Sequence, residues 1–357
     1  SPTVLVAKTM RPSTSPPSMN PSNGESESPS KLPTKNPSQT QSESPSHDQS
    51  NTPTFREYVV ALLLENMPNT SFGDSFSPQN QALEWLVADS FSVSSGLAEY
   101  RLVQRFVLAT VFYSFRLTSG FFGLEPTDEC RWMWVDLQCN FASGVVSLSL
   151  SSTQLSGTIP PELGSLTQLT RLYILNFLSF GSESVRGTIP PELSAMTQLK
   201  ELSLGSSQLS GTIPLELIAL TDLTTLSLHG NDLSGTISNE MSALTKLRDL
   251  VLRSNQLSGT IPRHLSALTR LRDLNLGFNQ LSGTIPSHLS ALTQLRNLDL
   301  GSNQLRGTIP PELAGLTRLT ALRLDYNQFS GTVPPGVCAI LPPGISIIFQ
   351  SGDLLFC

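Results

Sequence analysis

The chain has 357 residues, a formal net charge of −6, 38% hydrophobic residues and only 14% charged ones. A nucleic-acid-binding protein needs a concentrated basic face to displace counterions, and this balance argues against one. No apolar run reaches the roughly 18 residues of a membrane-spanning helix, the longest being YVVALLL at residues 58–64.

Residues 1–53 are dominated by Pro, Ser, Thr, Asn and Gln, as in RPSTSPPSMNPSNGESESPS. No hydrophobic period recurs there, so nothing offsets the entropy lost on ordering. A disordered linker is expected, either an extracellular stalk able to carry O-linked sugar or a cytosolic tail of the same composition. Because the chain starts at Ser1, a membrane anchor or signal ahead of it is allowed for.

Residues 54–143 read as a mostly helical N-terminal cap region. In SPQNQALEWLVAD, Ser77 is placed to cap a helix and Pro78 to occupy its first position, where a missing N–H costs nothing. Leu83, Leu86 and Val87 then share a face, with Trp85 at its edge. In AEYRLVQRFVLATVFYSF, Val103, Phe106, Val107, Thr110 and Val111 recur at helical spacing, and Arg101 and Arg105 mark the expected wet side. Asn69-Thr70-Ser71 is a glycosylation sequon, so Asn69 is expected to carry sugar. The four cysteines permit three pairings. Local bonds Cys130–Cys139 and Cys338–Cys357 are expected because each pair flanks one end of the repeat array, which implies an oxidising compartment. The alternative is four buried thiols in a cytosolic protein.

From residue 144 to 337 the chain repeats itself. The anchor Gly-Thr-[Ile/Val]-[Pro/Ser] has its glycine at 157, 187, 211, 235, 259, 283, 307 and 331, a spacing of 24 residues after a first interval of 30. A fixed period of this length means a solenoid, with residues 338–357 as its C-terminal cap. In LTQLRNLDLGSNQLRGTIPPELAG, the alternation around Leu298 and Leu300 makes a short strand with Leu295, Leu298 and Leu300 inward. Stacked coils then build one parallel sheet, roughly 34 Å along the axis for eight strands. Asn231, Asn255, Asn279, Asn303 and Asn327 close successive strands and are expected to form a ladder of side-chain hydrogen bonds. Thr153, Phe177 and Ser207 interrupt that column, so the first coils should be looser. The glycine permits a turn, the proline stops further strand pairing, and PELAGLT offers a short helical turn on the convex side. The inserted residues of the second coil include Leu175, Phe177, Leu178 and Phe180, expected either to protrude as a contact or to pack against the cap.

The unit LxxLxLxxNxLSGTIPxxLxxLTx resembles the plant-type leucine-rich repeat, and SGTIP is that family's signature. ECRWMWVDLQCN resembles the family's cap pattern C-x-W-x-G-[VI]-x-C, with Trp134 in place of the glycine and Cys139 two residues late. Helical segments such as SPQNQALEWLVAD and LVQRFVLAT, with a Pro/Ser/Thr stalk, are also similar to leucine-rich-repeat proteins of diatoms and related algae. The resemblance implies an α/β solenoid: a right-handed leucine-rich-repeat superhelix with a parallel β-sheet on its concave face, preceded by a helical N-terminal cap and a disordered linker. It also implies a protein, peptide or glycan ligand.

Signatures of enzymes are missing from the sequence: no phosphate loop, no H-E-x-x-H, no G-x-S-x-G, no C-x-x-C and no kinase motifs. No cofactor or metal is expected. His229 falls on the concave face without an evident Ser or Cys partner. His264 and His288 stand in the column Glu162, Glu192, Glu216, Glu240, His264, His288, Glu312, which reads as a solvated convex row, with relief of Glu repulsion or a metal pair as alternatives. The concave positions that vary are the candidate ligand-binding set: Arg248, Asp249, Arg253, Arg272, Asp273, Asn275, Phe278, Arg296, Asp299, Arg323, Asp325 and Tyr326. Its arginine and aspartate columns either give charge-paired specificity with aromatic anchors or merely neutralise each other. Asp249, Asp273 and Asp299 do not make a glycosidase, because neighbouring arginines are expected to hold their pKa values low. The leading expectation is a non-catalytic extracellular recognition module, the ligand-binding ectodomain of a receptor-like or cell-surface protein. The alternative is a secreted, polygalacturonase-inhibitor-like inhibitor of a cell-wall glycosidase. A more distant one is an ice-binding protein, from the column Thr158, Thr188, Thr212, Thr236, Thr260, Thr284, Thr308 and Thr332.

Overall fold

Thr54 caps the first helix, α1 (Phe55–Asn66), through a reciprocal box in which its hydroxyl accepts from Glu57 N–H and Glu57 accepts from Thr54 N–H. The computed structural model describes residues 53–117, 124, 127–132, 136–152, 155–176 and 184–341, with the backbone strands Ile347–Phe349 and Asp353–Leu355. The linker, Thr153, Phe177, Leu178, Phe180 and Cys357 lie outside the described residues. α2 (Pro78–Ala88) has Ser77 as N-cap, accepting from Asn80 N–H, and Pro78 at its start. α3 (Ser90–Ser94) and α4 (Glu99–Ser114) complete the helical region.

The expectation that Arg101 and Arg105 face water is overturned. α4 is buried along most of its length, and Arg105 is fully buried. Its guanidinium pairs with Asp89 (2.6 Å) and Glu129 (2.9 Å) and donates to Ser92 Oγ (2.9 Å) and Thr127 O (2.7 Å). Trp85, Phe91 and Trp132 surround it with centroids 5.0–5.2 Å away. A buried charge is tolerated only when its donors are met, and four of these contacts come from outside α4. Arg101 is mostly buried too, held by Glu129 (2.6 Å) and Asp128 (3.0 Å). Helical periodicity sees only α4 itself, so it cannot reveal elements that cover a second face.

The Cys130–Cys139 disulfide ties this cluster to the strand Asp136–Cys139, which pairs antiparallel with Val145–Ser152. Gln104 bridges the same junction, donating to Glu129 (2.8 Å) and accepting from Val145 N–H (2.7 Å). Cys338, in α5 (Pro335–Ile340), is also disulfide-bonded, while its expected partner Cys357 is not described.

Among the described residues, nine strands form the concave sheet, and all but the first run parallel. The register is one leucine per coil: Leu148, Leu172, Leu202, Leu226, Leu250, Leu274, Leu298 and Leu322 are successive partners. These and the residues two positions on, leucine throughout except Ile174, are buried, so the stack has a single apolar spine. Five-residue 3-10 turns such as Pro161–Ser165 and Arg263–Ala267 cover the opposite side.

A second sheet runs through the Ser-Gly-Thr segments, where a turn was expected. Gly157–Thr158, Val185–Gly187, Gln208–Thr212 and Asp232–Ser234 pair in parallel, as do Ser282–Gly283, Gln304–Gly307 and Gln328–Phe329. Bridges Thr236–Ser258 and Thr260–Ser282 join the two groups. Coils of equal length return in register, so these stretches meet their counterparts even though no sequence alternation announces them. The glycines are indispensable twice over. Gly259 has φ +78°, and a Cβ there would lie 2.9 Å from Thr236 Cγ2 of the preceding coil.

Candidate binding surface on the concave sheet

The residue before each ladder asparagine adopts a left-handed backbone. Gly230, Ser254, Phe278, Ser302 and Tyr326 have φ between 53° and 67°, and Ser206, ahead of Ser207 in a coil without the asparagine, has φ 55°. For a residue with a Cβ this conformation costs roughly 1–2 kcal/mol, which small polar residues or glycine keep low. Two coils instead place a large aromatic there and leave it in solvent: Phe278 is 42% exposed and Tyr326 60%. Burial does not repay the strain at these two sites.

Phe278 is flanked by two cations. Arg253 Cζ lies 5.5 Å from its ring centroid and Arg323 Cζ 5.9 Å. Arg323 is held in place by Asp325 (3.2 Å) and approaches Asp299 (3.7 Å), both carboxylates being buried. Asp299 Oδ1 also accepts from Gly301 N–H (3.0 Å). The glycines of the preceding coil make room for these acids: a Cβ at Gly277 would lie 2.7 Å from Asp299 Oδ1, and one at Gly301 2.6 Å from Asp325 Oδ1. Arg253 has no carboxylate partner among the described residues and remains half-buried. Asn275, nearly buried, accepts from Gly277 N–H (3.3 Å) and lines the floor.

His229 does have hydroxyl partners, contrary to expectation. Its Nδ1 lies 2.9 Å from Ser227 Oγ and its Nε2 3.4 Å from Ser206 Oγ. Burial and then the charge of Arg253 lower its pKa, so the ring is neutral near pH 7. Ser206 comes from another coil, which hid the pairing. A sequence signal existed for the ring's space: Gly205 stands one period before His229, and a Cβ there would meet the imidazole at 2.3 Å. No carboxylate orients this ring among the described residues, so it lacks the third group of a nucleophilic triad.

The arginine and aspartate columns separate. Arg248, Arg272 and Arg296 are exposed and form no ion pair among the described residues; each stands just ahead of its strand, which Asp249, Asp273 or Asn297 opens. Asp249 and Asp273 are direct register partners; Asp249 accepts from Thr225 Oγ1 (3.2 Å) and Asp273 from Asn297 Nδ2 (3.0 Å). The expectation that arginines depress these carboxyls fails at Asp273. Burial raises its pKa, Asn297 opposes this, and Asp249 and Asp299 raise it further.

Beside this surface the ladder asparagines are each fully engaged. Asn279 Oδ1 accepts from Leu257 N–H (3.0 Å), and its Nδ2 donates to Leu252 O, Leu276 O and Gly277 O. Elsewhere, His264 and His288 are exposed, and His264 Nδ1 contacts Asn239 Oδ1 at 2.9 Å. No group of three or more metal-ligating side chains occurs among the described residues, and no described helix is long and apolar enough to cross a membrane. Glu162 departs from its column: it is buried and accepts from Thr70 Oγ1 (3.0 Å) and Gln79 Nε2 (3.2 Å), clasping the cap to the first coil. Asn69 is exposed.

Comparison with known proteins agrees with this architecture. The family pattern described as "Leucine rich repeat" matches residues 270–329, and a second leucine-rich-repeat pattern matches 144–166, 222–244 and 246–268. No curated protein matches the sequence significantly. Among solved structures, PEPR1–AtPEP1 is 28% identical with TM-score 0.57, over 70% of this chain and 38% of that one. The Arabidopsis receptor kinase HAESA, in complex with the peptide hormone IDA and the co-receptor SERK1, is 29% identical with TM-score 0.53, over 71% and 46%. The ectodomain of the Arabidopsis thaliana receptor kinase GASSHO1/SCHENGEN3, in complex with CASPARIAN STRIP INTEGRITY FACTOR 2, is 30% identical with TM-score 0.51, over 61% and 28%. The chain therefore spans less than half the length of each. The in-register leucine spine, the asparagine column and these matches together make the chain a plant-type leucine-rich-repeat protein.

Proposed function

We propose that the concave sheet around Phe278 is the ligand-binding face of an extracellular, receptor-like recognition module, and that its ligand is a peptide or an extended protein segment. The single observation that carries this reading is an exposed aromatic held in a strained backbone between two guanidinium groups. Such a ring offers apolar contact at little entropic cost, because Phe has only two side-chain torsions. Arg253 supplies a cation that has no carboxylate partner among the described residues, while Arg323 is tied to Asp299 and Asp325. The complementary ligand carries a carboxylate next to an apolar side chain. The structural neighbour HAESA is solved in complex with the peptide hormone IDA, which supports this class of partner. Glycosylation of Asn69 and a membrane tether outside this sequence belong to the same proposal.

The test is a displayed peptide library screened against the full chain, followed by affinity measurement with Phe278→Ala and Arg253→Glu variants. Selected peptides should lose at least roughly tenfold in affinity on either change, about 1.4 kcal/mol. A screen that yields only binders indifferent to both substitutions, or none, rejects the reading.

A second reading rests on the threonines of the second sheet, all eight of which are exposed, with in-register neighbours whose γ-methyls lie against the next coil's glycine. A regular array of this kind is a candidate surface for ordered water. Thermal hysteresis measured on the full chain should exceed that of a Thr236→Lys, Thr260→Lys variant; absence of hysteresis removes this reading.

A further inference from the structure

A cleft of about 430 Å³ opens where the cap meets the convex side of the first coils, remote in sequence from the Phe278 surface. It is bounded by the chain leaving α1, by the start of α4, and by the 3-10 turns Pro161–Ser165 and Pro191–Ala195. Its size falls in the range of small-ligand sites, about 300–1,000 Å³. We propose that this cleft binds a neutral saccharide, as a site separate from the concave face.

The lining chemistry selects that class. Apolar surface, from side chains such as Met67, Pro68, Val103, Val145 and Leu166, makes up the larger part of the lining, and hydroxyl, amide and carboxylate groups supply the polar part. Sugars present vicinal hydroxyls that donate and accept; a carboxylate accepts from them, and an amide both accepts and donates. Glu162 is the fixed acceptor: both its oxygens are already held, by Thr70 and Gln79, so its position is set before any ligand arrives. Gln168 is anchored through its carbonyl oxygen by Asn140 Nδ2 (2.7 Å), which leaves its amide N–H groups as donors. Glu192 lines the opposite wall and is exposed.

Tyr100 supplies the flat element. Its hydroxyl donates to Ala142 O, which fixes the ring, and the side chain is 42% exposed at the cleft. An aromatic face tethered at its polar tip can stack against the C–H face of a pyranose. Charge narrows the class further. Two carboxylates and, among the described residues, no Lys, Arg or His line the cleft, so uronic and sulfated sugars are repelled. The walls are close-packed rather than collapsible: a Cβ at Gly164 would lie 2.2 Å from Glu192 O, so the two 3-10 turns are already in contact beneath the opening.

The test uses the full chain carrying Asn69→Gln, so that a glycan of its own at the cleft's lip cannot compete. Calorimetric titration is run with neutral gluco- and manno-oligosaccharides, with oligogalacturonate and spermidine as controls. At least one neutral oligosaccharide should bind, Thr167→Trp should weaken it by at least roughly tenfold by filling the cleft, and Arg253→Glu should leave it unchanged. Thr167 is exposed, so this substitution tests the cleft without threatening the fold; an unchanged far-UV spectrum confirms it. Absence of binding by every neutral sugar, binding that survives Thr167→Trp, or binding of the controls alone overturns the proposal. Because peptide binding at Phe278 is measured separately, failure here leaves that reading standing, and the converse also holds.

Discussion

Asn279→Ala separates two ways of estimating what the asparagine column contributes. Counting hydrogen bonds gives four losses, or about 4 kcal/mol at roughly 1 kcal/mol each. The geometry gives less. Leu252 O keeps Asn255 Nδ2 as a donor (3.0 Å), Leu276 O keeps Asn303 Nδ2 (3.0 Å), and Gly277 O keeps Ser254 N–H (2.9 Å). Only the N–H of Leu257 is orphaned, since Asn279 Oδ1 is its acceptor. One buried unsatisfied donor costs about 1–3 kcal/mol, so the substitution should cost about 2 kcal/mol. Asn255→Ala with Asn279→Ala strips both side-chain donors from Leu252 O, and should exceed the sum of the single losses by about 1 kcal/mol. Urea unfolding measures the totals, and hydrogen exchange at the Leu257 amide reports the local event. A cost near 4 kcal/mol, or one below about 0.5 kcal/mol with Leu257 still protected, would refute the shared-acceptor account, as would strict additivity of the pair.

Arg105→Met should destabilise the cap by about 3–5 kcal/mol, because Asp89 and Glu129 are left buried without their cation; a calorimetric loss under about 1 kcal/mol would show that Arg101 and water suffice. Asp273→Asn should stabilise the chain by about 0.5 kcal/mol at neutral pH, since like charges on adjacent strands oppose each other. The sign follows from a folded-state pKa raised above the ordinary value: the carboxyl's contribution is full below the unfolded pKa and is lost as pH rises through the folded one. Wild type and variant should therefore converge in acid, and a gap that widens there contradicts the assignment. Tyr173, half-buried and hydrogen-bonded to Glu201, has its pKa pushed up to about 12. Phenolate absorbance should titrate there, and stability should fall between the unfolded value of about 10 and about 12; titration at the ordinary value would remove Glu201 as a partner.

The repeat was readable to the residue because it is local and periodic. Leu298 and Leu300 alternate within three positions, the glycine anchors return every 24 residues, and a stack of equal coils has one register that buries every leucine. Ser77 and Pro78 announced α2 for the same reason, since a cap is decided within one turn. The candidate surface was only half visible. Phe278, Arg253, Arg323 and Tyr326 could be assigned to the concave side by counting, yet nothing in the strand text says that Phe278 lies between two guanidiniums or that its backbone is left-handed. The pairing of arginine with aspartate by adjacency was misleading, because Arg248 stands just outside the strand that Asp249 opens and forms no ion pair among the described residues.

What the sequence alone determined is therefore the spine: leucines, asparagines and glycines whose roles depend on residues within a coil or one period away. The tertiary structure decided everything that depends on neighbours at irregular separations. Arg105 became the buried centre of the cap because Trp85 and Asp89, from α2 and its C-terminal cap, and Glu129, from a later segment, converge on it. Glu162 left the solvated row of its column because the cap's Thr70 and Gln79 cover the first coil alone. Asp273 has a raised pKa first because it is partly buried, and then because Asp249 and Asp299 stand across the sheet from it. The physical reason is common to all three: burial and electrostatics are summed over space, and a periodic text specifies which positions stack but not what is laid on top of them.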